Sequence, residues 1–280
     1  MHKDEALQRF AALMDFRNLS PITLKNYLHH VSKFLDSFPD IDVFDLTVFD
    51  AQSYVLSLKD YLSPQSRNVI VCAIRYFFDV VLEKPLTRRQ FPNIRYSPTP
   101  YSVFDICQIK QILSTDDVRL KVFILLGFDC GLRSGEVARL RIKDIDSKNM
   151  LLSIHSSKGG KSRKVPLSNA CLLALRNYWS VYRPDDYLFP GYGSTPHLSP
   201  SYVNQMFHDH LKTFDFYRPE FSFHSLRHSF ATHMLENDCD IFLLKKILGH
   251  ASFSSTACYV QYKTSDLKNS FSLSDKIGIL

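Results

Sequence analysis

Short strings in this chain hold side chains suited to work on a phosphodiester. His224-Ser225-Leu226-Arg227 runs on through His228 to His233, and Leu248-Gly249-His250 precedes Ser255-Thr256-Ala257-Cys258-Tyr259. Upstream, Gly131-Leu132-Arg133 is followed by Glu136. Arg133 and Arg227 each offer a fixed fork of donors that matches two oxygens of one phosphate. Histidines can move protons near neutral pH, and a tyrosine can attack phosphorus. Together these residue types point to breaking and rejoining a nucleic-acid strand through a phosphotyrosine link, with no metal needed.

Taken singly, each signal has a plainer reading. Arg133, one helical turn before Glu136, reads equally as a surface ion pair. His224 and Arg227, three residues apart, share a helix face and can converge on one anion. If the helix opens at His224, its free amides add positive potential there. His224, His228 and His233 also suggest metal binding, as does His208-Asp209-His210. Zinc sites, however, add a carboxylate or thiolate at set spacing, and HExxH is absent. No metal or other cofactor is expected. His250 follows a glycine at a helix C-cap, a place where histidine is usually structural. Tyr259, with Val260 and Tyr262 beside it, reads equally as a core residue. His228 and His233 are read as packing residues.

The elements that must position these residues fall into two groups. In the first ninety or so residues, Ala6, Leu7, Phe10, Leu13 and Met14 share one helical face. Ser20-Pro21 pairs an N-cap with a proline at the first helical position, ahead of the stripe Tyr27, Leu28, Val31, Phe34 and Leu35. Thr47 opens a third helix, and Ser63-Pro64 repeats the cap-plus-proline signal before residues 69–82. Four helices with short connections predict a small bundle. Residues 85–100 are rich in proline and arginine (Pro85, Pro92, Pro98, Pro100; Arg88, Arg89, Arg95) and read as an interdomain linker.

Beyond it the pattern is mixed. Helices are predicted over 105–114 and 117–130, from Asn169, from Ser199-Pro200 and from His224. Residues 151–154 and 163–167 read as two short strands joined by a Lys- and Gly-rich turn. The fold class expected is therefore mainly α with a small β-sheet or hairpin, in two domains.

Bulk properties agree with this layout without demanding it. The 280 residues suit two domains, and 45% hydrophobic residues supply ordinary cores. Lys and Arg exceed Asp and Glu by 34 to 28, a net charge of +6 that is compatible with a nucleic-acid partner. No apolar run approaches the ~18 residues of a membrane span. The first residues lack the layout of a signal peptide, so a soluble, unexported cytoplasmic protein is expected. The cysteines (Cys72, Cys107, Cys130, Cys171, Cys239, Cys258) are scattered and read as reduced, mostly buried thiols.

The order and joint spacing of the reactive residues are more specific than any one of them. Arg133 in Gly-Leu-Arg-Ser-Gly-Glu, His224-x-x-Arg227, His250 in Leu-Gly-His-Ala-Ser and Tyr259 in Ser-Ser-Thr-Ala-Cys-Tyr resemble the tyrosine recombinase (phage integrase) family. The similarity covers roughly residues 100–265, and the size and helical first part resemble Xer-like and compact mobile-element integrases. The resemblance implies a helical, SAM-like core-binding domain at 1–90, a linker at 91–100 and a catalytic domain at 101–280, clamped around duplex DNA. It implies that Tyr259 is a nucleophile that forms a 3′-phosphotyrosine, without ATP or metal. Arg133 and Arg227 would neutralise charge on the phosphate, and His250 would add a hydrogen bond. His224 would be the first candidate to take the tyrosine proton, and Glu136 a supporting residue.

The family's hairpin pattern aligns with Lys158-Gly159-Gly160-Lys161-Ser162-Arg163-Lys164, which makes Lys158 the general acid and Lys161, Arg163 and Lys164 DNA contacts. Four protomers on two duplexes are implied. The tail 263–280, with Leu267, Phe271 and Leu273 at helical spacing, would be exchanged between protomers or packed on its own. Two alternatives share the pattern: a type IB topoisomerase-like enzyme and a catalytically silent DNA-binding relative. A metal-dependent nuclease built on the histidines is a third.

Overall fold

The computed structural model describes residues 1–97, 101–155, 162–250, 252, 253, 255, 256 and 259. Lys158, Lys161, Tyr262 and the tail 263–280 lie outside the described residues. The chain divides into two compact units, Met1–Thr99 and Pro100–Leu280. The architecture is the expected one, mainly helical with one small antiparallel sheet. Among the described residues no helix is long and apolar enough to cross a membrane.

The first unit contains α1 (Lys3–Phe16), α2 (Pro21–Asp36), α3 (Val48–Ser57) and α4 (Pro64–Val80). Its caps follow from the sequence. Ser20 Oγ accepts the Thr23 amide at 3.2 Å, and Ser63 Oγ accepts the Ser66 amide at 3.2 Å, each just ahead of a first-turn proline. The apolar stripes then meet: Ala6, Phe10 and Met14 of α1, Phe34 of α2 and Phe77 of α4 are all fully buried. The stretch after α4 is less of a free spacer than its prolines suggest. Phe91 is buried, Asn68 bonds both the amide and the carbonyl of Ile94, and Arg75 donates to the Phe91 carbonyl.

The second unit contains α5 (Ile106–Leu113), α6 (Val118–Phe128), α7 (Ser134–Ala138), α8 (Asn169–Tyr182), α9 (Pro200–Leu211), α10 (Phe223–Glu236) and α11 (Ile241–Leu248). Strands β1 (Ile145–Asp146), β2 (Leu151–Ile154) and β3 (Arg163–Pro166) pair antiparallel in that order, with Ile154 opposite Arg163. The two-residue β1 is too short to leave an alternating pattern and is not foreseen in the sequence. Helix α6 is apolar nearly all round, as a helix buried on several sides must be, and it packs on α8 and α10. Helix α10 is also largely enclosed, so Ser225, Arg227, His228, Ser229 and Thr232 face protein rather than water. It begins at Phe223, one residue before His224, where the Ser222 amide donates to Ser225 Oγ at 3.1 Å.

Candidate active site

Arg227 lies one turn into α10 and is fully buried. One terminal nitrogen donates to the Gly131 carbonyl at 2.7 Å and the other to the Leu248 carbonyl at 2.6 Å. The second acceptor belongs to the last turn of α11, whose carbonyls have no partner within the helix. A cation there also meets the negative end of the helix dipole. Burial, the neighbouring Arg133 and the Arg163 charge push the Arg227 pKa down to about 9, with Glu136 opposing them. Its Nε–H has no hydrogen-bond partner among the described residues.

Glu136 is the anion that makes this arginine cluster tolerable. Its carboxylate accepts the Arg133 amide at 2.9 Å and the Arg133 guanidinium at 3.3 Å, and it lies 3.7 Å from Arg227. Arg163 grips the same carboxylate with two nitrogens, at 2.7 and 3.0 Å. Burial disfavours the Glu136 charge, but the Arg163 hydrogen bonds and charge outweigh it, and the carboxyl sits below its ordinary pKa. Bidentate, charge-assisted pairing of this kind is among the stronger hydrogen-bonded contacts.

Arg163, expected among the DNA contacts of the hairpin, has its side chain engaged within the protein. Its side chain is only 14% exposed, and Nε donates to the Ile247 carbonyl at 2.6 Å. It links β3, Glu136 and the end of α11. Lys164, its neighbour on β3, remains exposed.

Gly249 ends α11 in the left-handed region at φ +66°, and a Cβ there would stand 2.9 Å from Arg163 Cδ. Only glycine combines that dihedral with that approach. The turn delivers His250, whose Nδ1 is hydrogen-bonded to Thr256 Oγ1 at 2.9 Å. Tyr259 is 3% exposed, and its ring centroid is 6.3 Å from that of His250. Its hydroxyl lies 2.8 Å from Nδ1 of His228. His228, which spacing alone leaves as a packing residue, is thus a direct partner of Tyr259. His233 is a structural residue, bonded through Nε2 to the Phe104 carbonyl at 2.9 Å and through Nδ1 to Glu236 at 2.8 Å.

The histidines around Tyr259 are held neutral. Burial and then the Arg227 and Arg133 charges push His224 and His250 to about 4. His228 is pushed to about 3 by burial, then by His224, Arg227 and His250. His224 keeps part of its surface open to solvent while its ring, set edge-on to His228 at 4.6 Å, sits against the cluster. Arg133, His224, Arg227, His250, Tyr259 and Glu136 are therefore brought together.

Sequence reasoning missed two further features. A cleft of about 380 Å³ beside Glu136 is lined by Arg139, Arg141, Lys143 and His155 together with Asp144, a surface with more basic than acidic groups that no motif announces. Asp129, Cys130 and Cys171 bring their ligand atoms within 4.8 Å of one another, although nothing in their spacing pairs them. The Cys130 thiol is raised well above its ordinary pKa by a hydrogen bond with Cys171 and by burial.

Comparison with known proteins gives concordant results. Residues 102–265 match the model of the phage integrase family, and residues 6–88 match the phage integrase N-terminal SAM-like domain. Tyrosine recombinase XerA of Pyrococcus furiosus is 31% identical over 274 residues, which cover 95% of this chain and 92% of that protein. A crystal structure of XerA recombinase aligns over 96% of this chain and 97% of its own, with 28% identity and a TM-score of 0.54. The Tn1549 transposon integrase, solved with transposon right-end DNA, shares the fold at 17% identity, with a TM-score of 0.71 over 91% of this chain and 94% of its own.

Proposed function

The chain belongs to the phage integrase family of tyrosine recombinases, and from that premise we propose that Tyr259 is the nucleophile of a DNA strand-exchange reaction. The protein is a site-specific recombinase, a DNA strand transferase. In the proposed reaction Tyr259 Oη attacks the scissile phosphorus, the 5′ oxygen leaves, and a 3′-phosphotyrosine holds the broken end. A 5′ hydroxyl from a second duplex then reverses the attack, so bond energy is conserved and strands are exchanged.

Arg133 and Arg227 balance the charge that grows on the non-bridging oxygens, a contribution of about 2.7–4 kcal/mol per preorganised donor. The observation that carries the reading is Arg227. Its guanidinium is fully buried beside Tyr259, with two nitrogens bonded to protein and Nε–H, without a partner among the described residues, available to an incoming oxygen. A buried cationic donor without a partner is costly in a structural residue and useful in an anion site. His224 and His250 add hydrogen bonds to the same oxygens, Glu136 orients the arginines, and Lys158 protonates the leaving 5′ oxygen. Because Tyr259 is 3% exposed, the phosphate reaches it only after local opening on DNA.

The wider assignments are of the same standing. Residues 1–90 form a core-binding domain, joined through 91–100 to a catalytic domain at 101–280. Lys161, Lys164 and the basic cleft beside Glu136 serve the phosphate backbone. Four protomers assemble on two duplexes, on DNA in the cytoplasm.

The test begins with footprinting on DNA flanking the gene. A nicked duplex carrying the protected sequence then traps any covalent protein–DNA adduct. Wild-type protein is expected to form the adduct in EDTA, and Tyr259→Phe to form none while still binding the duplex. An adduct that persists in Tyr259→Phe moves the nucleophile elsewhere, with Tyr262 the first suspect. Loss of the adduct in EDTA defeats the metal-free mechanism.

A further inference from the structure

We infer that His228, rather than His224, receives the proton of Tyr259 during strand cleavage. The inference rests on Tyr259 being the nucleophile. Tyr259 Oη and His228 Nδ1 are 2.8 Å apart, within reach for direct transfer. The imidazole is held on more than one side. Tyr101 lies over it with ring centroids 4.1 Å apart and planes 32° apart, and His224 meets it edge-on at 4.6 Å. Its backbone is fixed in α10, one residue past Arg227.

Charge supports the same assignment. Burial, with His224, Arg227 and His250 close by, pushes His228 down to about 3, so the ring is neutral at neutral pH, and in the tautomer with its hydrogen on Nε2 the Nδ1 lone pair accepts the Tyr259 O–H. Transfer is uphill in the unliganded site, because burial and then His224, Arg227 and His250 disfavour a charged ring. The entering phosphodiester anion stabilises positive charge beside it and raises the basicity of the ring as the phenol needs it.

The step balances without any other reactant. The Oη–H bond of Tyr259 breaks as the Nδ1–H bond of His228 forms. The Oη–P bond forms as the P–O5′ bond breaks, and the leaving oxygen takes a proton from the general acid. In the rejoining step the incoming 5′ hydroxyl attacks phosphorus and gives its proton back to the deprotonated general acid, the Oη–P bond breaks, and His228 returns its proton to Oη.

The nicked duplex described above reads this directly through the single-turnover rate of adduct formation. His228→Phe keeps a flat ring under Tyr101 and removes the acceptor. It is expected to bind the duplex and to slow adduct formation on the order of 100-fold or more. Replacing Tyr259 with 3,5-difluorotyrosine, a more acidic phenol, is expected to restore most of that rate in His228→Phe and little in His224→Ala. His228→Asn retains an acceptor but cannot hold the proton, and it is expected to show the same loss and the same rescue. If His228→Phe fails to fold, His228→Asn decides the matter alone. A wild-type rate in either variant overturns the inference, as does a loss that the acidic phenol does not repair. A faster rate also overturns it and makes His228 a latch on the tyrosine. An adduct in Tyr259→Phe, by contrast, defeats the underlying assignment of the nucleophile.

Discussion

The two ends of the candidate site are built on different principles. At one end Arg133, Arg163 and Arg227 surround a single carboxylate, and nitrogens of Arg163 and Arg227 cap the carbonyls of Gly131, Ile247 and Leu248. Every strong bond there involves a permanent charge, and several elements are tied together at once. At the other end Tyr259, His228, His224 and His250 meet mainly through rings and through hydrogen bonds between neutral groups. The first end holds charge in place, while the second handles a mobile proton. They depend on each other, because the arginine charges help to keep the histidines neutral.

The sharpest way to break this contrast is to remove the shared anion. Glu136→Gln leaves Arg133, Arg163 and Arg227 without a countercharge in a mostly buried cluster. Breaking such a pair typically costs about 3–5 kcal/mol, which predicts a fall in Tm on the order of 10 °C. A change of only a degree or two in scanning calorimetry would mean that the arginines find other partners and that the first end is not organised around Glu136.

A smaller effect is expected at the joint between the two ends. Gly249→Ala places a side chain at φ +66° and drives Cβ toward Arg163 Cδ and Nε, at 2.9 and 3.1 Å. The backbone alone costs roughly 1–2 kcal/mol. Because the displaced Arg163 also bonds Glu136, adduct formation is expected to fall further than binding to the nicked duplex. Equal losses in rate and binding would show that the joint supports the fold and not the geometry of His250.

The smallest effect concerns the neutral end. His224, His228 and His250 have folded pKa values of about 4, 3 and 4, below the ordinary histidine value of 6.5. Between these values the unfolded chain binds protons that the folded chain refuses, so folding stability rises with pH in that window. The stabilisation is present above about pH 6.5 and is lost as pH falls toward 4. Tm is expected to decline between pH 7 and pH 5, with a shallower slope in His228→Phe. A flat profile would mean that these rings are not kept neutral in the folded protein.

What could be read from the sequence divides along similar lines. Features encoded by near neighbours were visible: Ser20-Pro21, Ser63-Pro64 and Ser199-Pro200 at helix starts, Gly249 at a helix end, and Glu136 one turn beyond Arg133. The family resemblance then ordered Arg133, His224, Arg227, His250 and Tyr259 into one set. Contacts set by tertiary packing left no local trace. Arg163 reaches Ile247 across 84 positions, and the hairpin pattern implies only a DNA contact at that residue. His228 shares a helix face with His224, four residues earlier, so spacing could not say which of the two meets Tyr259. Cys130 and Cys171 come together only because α6 and α8 pack against each other.

The central claim is that both ends serve a covalent bond at Tyr259. The most direct measurement is peptide mapping of the trapped protein–DNA adduct by mass spectrometry after nuclease digestion. The nucleotide remnant is expected on the peptide that contains Tyr259, with the modification on that side chain and with its yield reduced in Arg227→Ala. A remnant on Tyr262 or on any residue other than Tyr259 would contradict the account, because the buried hydroxyl beside His228 and Arg227 would then not be the group that attacks phosphorus.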